Sequence, residues 1–261
     1  VARSEAIEAA RALLPIYSEE QRIMEAVSES DSLILCGETG SGKTTQLPQF
    51  LYEAGYSHPH ATGRDGLIGI TQPRRVAAVS MAQRVAYELG VPLGREVAYQ
   101  VRYDAATISS ACRLKFMTDG VLLRELQSDL LLSRYSVVII DEAHERGVNT
   151  DLLLGLLSRV VQLRRRAADD GGSTCGPLKL VVMSATLQVD AFRDNQRLFP
   201  TPPPVLKVDA RQYPVTTHFA RVTPDDHMES AYKKVIKIHA RLPAGGILVF
   251  LTGQAEIEHL I

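Results

Sequence analysis

The string GETGSGKT at Gly37–Thr44 constrains this chain more than any other feature. It fits the pattern G-x-x-x-x-G-K-[ST], which does its work only between a strand and a helix. The preceding run, Ser32–Cys36 (SLILC), is short, apolar and bounded by Asp31 and Gly37, as a buried parallel strand would be. After it the backbone must turn sharply and bring its N–H groups close to anionic oxygens. Gly37, Gly40 and Gly42 permit that turn and that approach, with Glu38, Thr39 and Ser41 between them. A helix expected from Lys43 to about Tyr52 aims its positive end at the same place. Lys43 adds a full charge for the β- and γ-phosphates, Thr44 offers a hydroxyl to Mg²⁺, and Thr45 follows in the same binding turn. A glycine-rich turn with an exposed lysine could carry the same letters. The strand before and the helix after are what give the string weight, and they point to a nucleoside triphosphate with a divalent metal such as Mg²⁺.

A second apolar run, Ser136–Asp141 (SVVIID), ends on a carboxylate and leads into DEAH at Asp141–His144. Asp141 is thereby expected at the C-terminal end of a strand, the edge where open α/β sheets bind ligands. Asp141 is assigned to Mg²⁺ through water, and Glu142 to orienting or deprotonating the attacking water. Acids also suit the start of a helix beginning near Ala143, a role compatible with the first. His144 is assigned to coupling by its place after the acidic pair. The third string, SAT at Ser184–Thr186, follows the apolar run Lys179–Met183. Read alone it is a turn of small residues. In register with the other two, the Ser184 and Thr186 hydroxyls are placed to bridge the magnesium site and a neighbouring surface.

The rest of the chain alternates in the same way. A helix is expected over Ser18–Ser28 with Ser18 and Gln21 as a capping box. Strands follow at 67–71, 97–101, 114–118, 136–140 and 179–183, with helices at 76–89 (stopped by Gly90), from Gly120, and a buried one at 151–163. Such alternation implies an α/β fold, a parallel sheet with helices on both faces and right-handed crossovers. The stretch 164–177 (RRRAADDGGSTCGP) reads as a mobile loop; Arg159, Arg164, Arg165 and Arg166 read as a solvated helix end or, alternatively, a contact to RNA or a partner. TPPP at 201–204 can form neither helix nor central strand. A boundary is therefore placed near Val208–Pro214, followed by a strand at 215–219, a helix at 226–242 and a buried strand at 247–251. The expected organisation is an N-terminal extension (1–14), a first domain (15–209) and the beginning of a second (210–261).

Bulk properties exclude several classes. No run of eighteen apolar residues occurs, so no membrane-spanning helix and no membrane partner is expected. Cys36, Cys112 and Cys175 are too scattered for a disulfide framework or zinc site and suit a reducing compartment, cytosolic or nuclear. The start has no signal-peptide core, and opening on Val1 suggests an excerpt of a longer protein. A formal net charge of −1 opposes a broad basic surface, so charge gives no support to nonspecific nucleic-acid binding.

With these strings in this order, the chain resembles the DEAH-box RNA helicases of superfamily two. The likeness extends through GETGSGKTTQLPQF (37–50), TQPRRVAAVSMAQRVA (71–86), TDGVLLRE (118–125), DEAHER (141–146), SAT, and GGILVFLTGQAEIE (245–258). It implies a RecA-like first domain and the opening of a second. It implies RNA contacts at Arg74, Arg75, Arg102, Thr118, Asp119, Thr252 and Gly253, and an arginine, Arg84, stacked on the nucleotide base. Surface ion pairs would serve Arg75, Arg84 and Arg102 equally well outside that context. Finer wording at 14–27, 48–56 and 197–205 most resembles the member acting in small-subunit ribosome biogenesis. That likeness implies a nucleolar protein releasing a small nucleolar RNA from pre-ribosomal RNA, among pre-ribosomal particle proteins and with an activating cofactor protein. Ala210 departs from the glycine usual in the family's linker. The arginine fingers belong to later motifs than these, so this stretch is expected to bind nucleotide and hydrolyse it poorly.

Three rival readings remain open at this stage. A GTPase should carry an N/T-K-x-D string, which is absent. A catalytically silent scaffold should have lost Lys43, Asp141 or Glu142, and all three are intact. A DEAH helicase of pre-mRNA splicing, or one acting on DNA, would carry the same strings.

Overall fold

Two apolar sets alternate along the central strands, and each has its own layer of helices. The computed structural model describes the chain except residues 2, 59, 61–64, 106–107, 172–174, 187–192 and 210–213. In chain order the elements are α1 (Glu5–Ala12), a 3-10 turn (Pro15–Glu19), α2 (Glu20–Glu29), β1 (Ser32–Gly37), α3 (Lys43–Glu53), β2 (Leu67–Gln72) and α4 (Arg75–Leu89). Then come β3 (Val97–Val101), β4 (Asp104–Ala105), β5 (Leu114–Thr118), α5 (Asp119–Ser128), β6 (Tyr135–Ile140), α6 (Val148–Asp169), β7 (Lys179–Ser184) and β8 (Val205–Val208). Two further helices close the chain, α7 (His227–Arg241) and α8 (Gln254–Leu260).

The sheet has the order β4-β3-β5-β2-β6-β7-β1-β8. All neighbours are parallel except the short β4, which folds back on β3. Leu33, Leu35, Ile68, Ile70, Phe116 and Ile139 face the layer of α2, α3 and α4, which contributes Ile23, Leu47, Phe50 and Val85. Ile34, Cys36, Val138, Ile140 and Val182 face the opposite layer, with Leu122 of α5 and Leu153, Leu157 and Val160 of α6. Full burial of each such side chain stabilises by about 1.5–3 kcal/mol. Both faces are covered, which is why the strands read as continuous apolar runs. The chain divides into two compact units, Val1–Gln212 and Tyr213–Ile261, and α1 lies within the first.

Several local expectations are corrected. The Ser18–Gln21 capping box does not form: Pro15 opens a 3-10 turn, the Ser18 hydroxyl donates to Pro15 O at 2.9 Å, and α2 starts only at Glu20. The apolar pattern of α6 ends near Leu163, but the helix runs on to Asp169 because Arg and Ala are strong helix formers. Arg164 is therefore not a solvated end. It is 2% exposed, and its guanidinium donates to the carbonyls of Leu132 at 3.0 Å, Tyr135 at 2.7 Å and Gly176 at 2.8 Å. Arg165 pairs with Asp31 at the start of β1. Part of the expected loop, 172–174, lies outside the described residues, as does Ala210.

In the second unit the helix forms over His227–Arg241, capped by the Asp226 carboxylate, which accepts from Glu229 N–H at 2.9 Å. The expected strands at 215–219 and 247–251 are not formed; Leu248 and Phe250 are 78% and 86% exposed. A strand needs a ladder partner for its backbone groups, and none of the described residues of this unit supplies one.

Candidate nucleotide site and nucleic-acid edge

The turn between β1 and α3 closes around left-handed glycines, Gly40 at φ 84° and Gly42 at φ 92°. Gly42 sits under an apolar lid: a Cβ there would lie 3.0 Å from Ile16 Cγ2 and 3.1 Å from Leu14 Cδ1. Ile16 N–H also donates to Ser41 O at 3.1 Å, tying the segment before α2 to the loop. Glu38, Thr39 and Gly40 form the exposed rim, and Ser41 is buried with its hydroxyl donating to Glu38 O at 2.8 Å. Lys43 is folded back into this turn. Its ammonium donates to Gly37 O, to Glu38 O at 2.9 Å and to Ser41 Oγ at 3.1 Å. Burial pulls it below the usual lysine value, with Asp141 and Glu142 opposing. The charge is held where an anion in the turn would meet it. A cavity of about 290 Å³ opens here, lined by Gly40, Gly42, Lys43, Thr44, Met81 and Glu142.

β6 brings the acidic pair alongside. Asp141 is 2% exposed. Its Oδ2 accepts from the Thr44 hydroxyl at 2.6 Å and from Gln72 Nε2 at 2.5 Å, and its Oδ1 from Glu142 N–H at 2.8 Å. Burial raises its pKa, and those neutral donors together with Lys43 only partly offset the effect. A buried carboxylate beside a hydroxyl, both hard oxygen donors, fits Mg²⁺, which takes one or two such ligands and fills the rest with phosphate and water. Glu142 turns away at φ 53°, ψ 35°, a left-handed conformation that costs a non-glycine residue about 1–2 kcal/mol. Burial and the neighbouring Asp141 raise its pKa as well. Only a three-residue 3-10 turn, Ala143–Glu145, follows, and the longer helix begins at Val148.

His144 links the second and third strings. Its Nδ1 accepts from Ala185 N–H at 3.2 Å and lies 3.3 Å from Glu142 Oε2. Ser184 is buried; its hydroxyl donates to Thr186 O at 2.9 Å and accepts from Thr186 N–H at 3.1 Å, while Thr186 itself is exposed.

Strand order explains the division of labour along this edge. Gly37 and Ser184 end β1 and β7, and Asp141 directly follows β6; the three strands are neighbours. Arg74 and Arg75 follow β2, Thr118 ends β5 with Asp119 after it, and Arg102 follows β3, the next three strands in the sheet. Arg75 is exposed at the first position of α4. Arg74 pairs with Glu145 at 3.1 Å. Arg102 lies 4.7 Å from the centre of the Tyr103 ring, itself 87% exposed. Thr118 caps the start of α5 without a side-chain bond. Asp119 is 5% exposed and its carboxylate accepts from the Thr150 hydroxyl at 2.5 Å, so any anion contact there falls to the backbone. Arg84 pairs with Glu88 at 2.6 Å, one turn along α4 from Met81. Thr252 and Gly253 belong to the second unit, at the start of α8, where Thr252 N–H donates to Glu256 Oε2 at 2.9 Å.

Residues 17–194, well over half the chain, match the DEAD/DEAH box helicase family. The chain belongs to this family. Among its curated relatives, "Probable ATP-dependent RNA helicase DHX37" of Homo sapiens is 58% identical over 261 residues, covering 100% of this chain and 21% of the relative. "Probable ATP-dependent RNA helicase DHR1" of Saccharomyces cerevisiae is 56% identical over 261 residues, 100% of this chain and 20% of the relative. "Probable ATP-dependent RNA helicase kurz" of Drosophila melanogaster is 54% identical over the same length, with 21% of the relative covered. The chain thus spans about a fifth of the length of these helicases.

One residue of the candidate site is not singled out by the sequence. Gln72, 2% exposed at the end of β2, joins the strand that leads to Arg74 with the strand that carries Asp141. Its signal was a polar residue closing an apolar strand inside TQPRR. Hydrogen bonds to charged groups contribute about 1.5–3 kcal/mol. Gln72→Leu in the full-length parent protein is therefore expected to cut ATP turnover by about tenfold to a hundredfold. Turnover within twofold of wild type would remove Gln72 from the site.

Proposed function

We propose that this chain is the nucleotide-binding part of an ATP-dependent RNA helicase that works on RNA paired in the maturing small ribosomal subunit. The observation that carries the reading is the cluster Thr44–Asp141–Gln72, which places a phosphate turn, a buried carboxylate and the start of an arginine-bearing edge within direct bonding reach of one another.

In this mechanism ATP enters the turn with its phosphates against the N-terminus of α3, and Lys43 exchanges its loop carbonyls for phosphate oxygens. Thr44 and Asp141 would hold Mg²⁺, which supplies charge neutralisation between the phosphates when bound. Glu142 orients the attacking water and accepts its proton; its raised pKa suits a base better than an ordinary glutamate would. Arg84 stacks on the base without reading it closely. His144 and the Ser184–Thr186 turn pass the state of Glu142 to the surface beside them. Arg74, Arg75, Arg102 and the backbone at Thr118 and Asp119 take RNA phosphates, and Thr252 and Gly253 do so on the second unit; such contacts position a strand and do not select a sequence.

The pre-ribosomal assignment is supported by the finer wording at 14–27, 48–56 and 197–205, and it brings with it a small nucleolar RNA, pre-ribosomal RNA, particle proteins, an activating partner and a nucleolar location. The test is ATP turnover by the full-length parent protein with and without single-stranded RNA. RNA-stimulated turnover supports the reading; nucleotide binding without turnover under any RNA condition favours a silent scaffold. The 261 residues alone are expected to bind ATP and to turn it over about 10³–10⁵-fold more slowly, the contribution of an arginine finger. Turnover by the fragment equal to the parent's would reject that expectation.

A further inference from the structure

Where α1, α3 and α4 meet, the interior is polar. Arg11, Gln46, Gln49 and Glu88 are each no more than 3% exposed. They form an unbroken chain: Arg11 Nε donates to Gln46 Oε1 at 2.6 Å, and Gln46 Nε2 donates to Glu88 Oε2 at 2.9 Å. Gln49 Nε2 donates to the same oxygen at 2.7 Å, and Arg84 Nε donates to Glu88 Oε1 at 2.6 Å. The remaining nitrogens of Arg11 reach Glu8 at 3.2 Å and Glu53 at 3.4 Å. Both carboxylate oxygens of Glu88 are thus occupied, and these donors hold its pKa below the usual glutamate value even though burial opposes them.

A buried ionic network of this kind is weak evidence for stability, because an apolar set of the same volume would pack there at least as well. What the network does do is fix a side chain. Arg84 would otherwise be a long, mobile group, its side chain 53% exposed. Glu88 takes only its Nε; the guanidinium lies 6.0 Å from the centre of the Tyr87 ring, and among the described residues its terminal nitrogens have no hydrogen-bond partner, so they and the other face are left for a ligand. Arg84 stands one turn along α4 from Met81, which lines the cavity together with Lys43 and Thr44. Gln46 lies on the helix that opens with those two residues. The phosphate turn and Arg84 therefore share one rigid frame, and α1 closes that frame from the far side.

We propose that Glu88 is a positioning residue of the nucleotide site, holding Arg84 ready for the base, and that α1 takes part in the same device through Arg11 and Gln46. This rests on the reading of Arg84 as the base contact. The energetic point is preorganisation: the order of Arg84 is established at folding, so it is not lost from binding.

The experiment compares affinities for ATP and for inorganic tripolyphosphate, which has no base, using calorimetry on the full-length parent protein. The proteins are wild type, Arg84→Ala, Glu88→Gln, the double variant and Arg11→Met. Glu88→Gln is expected to weaken ATP by about threefold to tenfold, the scale of a single cation–π contact, and to leave tripolyphosphate within about twofold. The double variant is expected to match Arg84→Ala, because Glu88 acts through Arg84. Arg11→Met is expected to give a smaller loss in the same direction, for ATP alone, and decides the matter if Glu88→Gln does not fold. Equal losses for both ligands, or losses that add in the double variant, would overturn the proposal in favour of a structural role. If Arg84→Ala leaves ATP affinity unchanged, the base contact itself is wrong and the positioning role falls with it. If Arg84→Ala weakens ATP and neither Glu88→Gln nor Arg11→Met does, the base contact stands and the positioning role alone is rejected.

Discussion

Glu142→Gln in the full-length parent protein is expected to lower ATP turnover by about 10²–10⁴-fold while ATP still binds. The substitution keeps the shape of the side chain and removes only its capacity to accept a proton. Glu142 is poised for that task by three observations. Its backbone is left-handed, so the side chain leaves the strand direction that Asp141 follows. Burial, with Asp141 adjacent, raises its pKa. Its Oε2 lies 3.3 Å from His144, which in turn accepts from the backbone of the Ser184–Thr186 turn. Single-turnover hydrolysis and ATP affinity, measured side by side, separate chemistry from binding. A variant that hydrolyses within tenfold of wild type would assign the base elsewhere. One that loses ATP affinity as well would make Glu142 a structural member of the turn.

Gly42→Ala is expected to cost about 2–5 kcal/mol, combining the left-handed conformation of an L-residue, about 1–2 kcal/mol, with about 1–3 kcal/mol for forcing a methyl into packed apolar contact. Both terms are visible at this position. The φ of 92° is one that alanine rarely adopts, and the added carbon would meet Ile16 and Leu14 at 3.0 and 3.1 Å. The loop can escape only by moving away from the segment that covers it. The backbone N–H groups would then leave the arrangement that phosphate requires, so most of the cost falls on binding. ATP affinity is expected to drop by at least thirtyfold, a loss of about 2 kcal/mol, with a modest fall in Tm. Gly40→Ala makes the comparison clean, because Gly40 is also left-handed but has open space around its Cβ position. Equal losses in the two variants would show that backbone strain alone matters and that the Leu14–Ile16 lid does not.

The readings that held were local ones. The strand, turn and helix around Gly37–Thr44 could be read because the apolar run, the glycines and the lysine are adjacent in the chain. The same holds for the strands that end at Ile140 and Ser184, whose apolar runs match the burial of both sheet faces. Boundaries drifted where packing set them. Arg164 looked like a solvated helix end, and only the carbonyls of Leu132, Tyr135 and Gly176, brought together by the fold, make it a buried residue. The strands expected at 215–219 and 247–251 had the right composition, but a strand without a ladder partner leaves its backbone groups to water.

What the sequence by itself determined was the α/β class and the chemical types at the nucleotide turn, since both follow from periodicity and from residues a few positions apart. Strand order was decided only by the tertiary structure. It put β6 between β2 and β7, so that Gln72 and Thr44, far apart in the chain, bond to the same oxygen of Asp141. It also set α1 against α3 and α4, making Arg11 and Glu88 members of one buried network. Neither pairing can be read from the sequence, because the first joins residues that strand order brings together and the second joins residues that helix packing on one face of the sheet brings together.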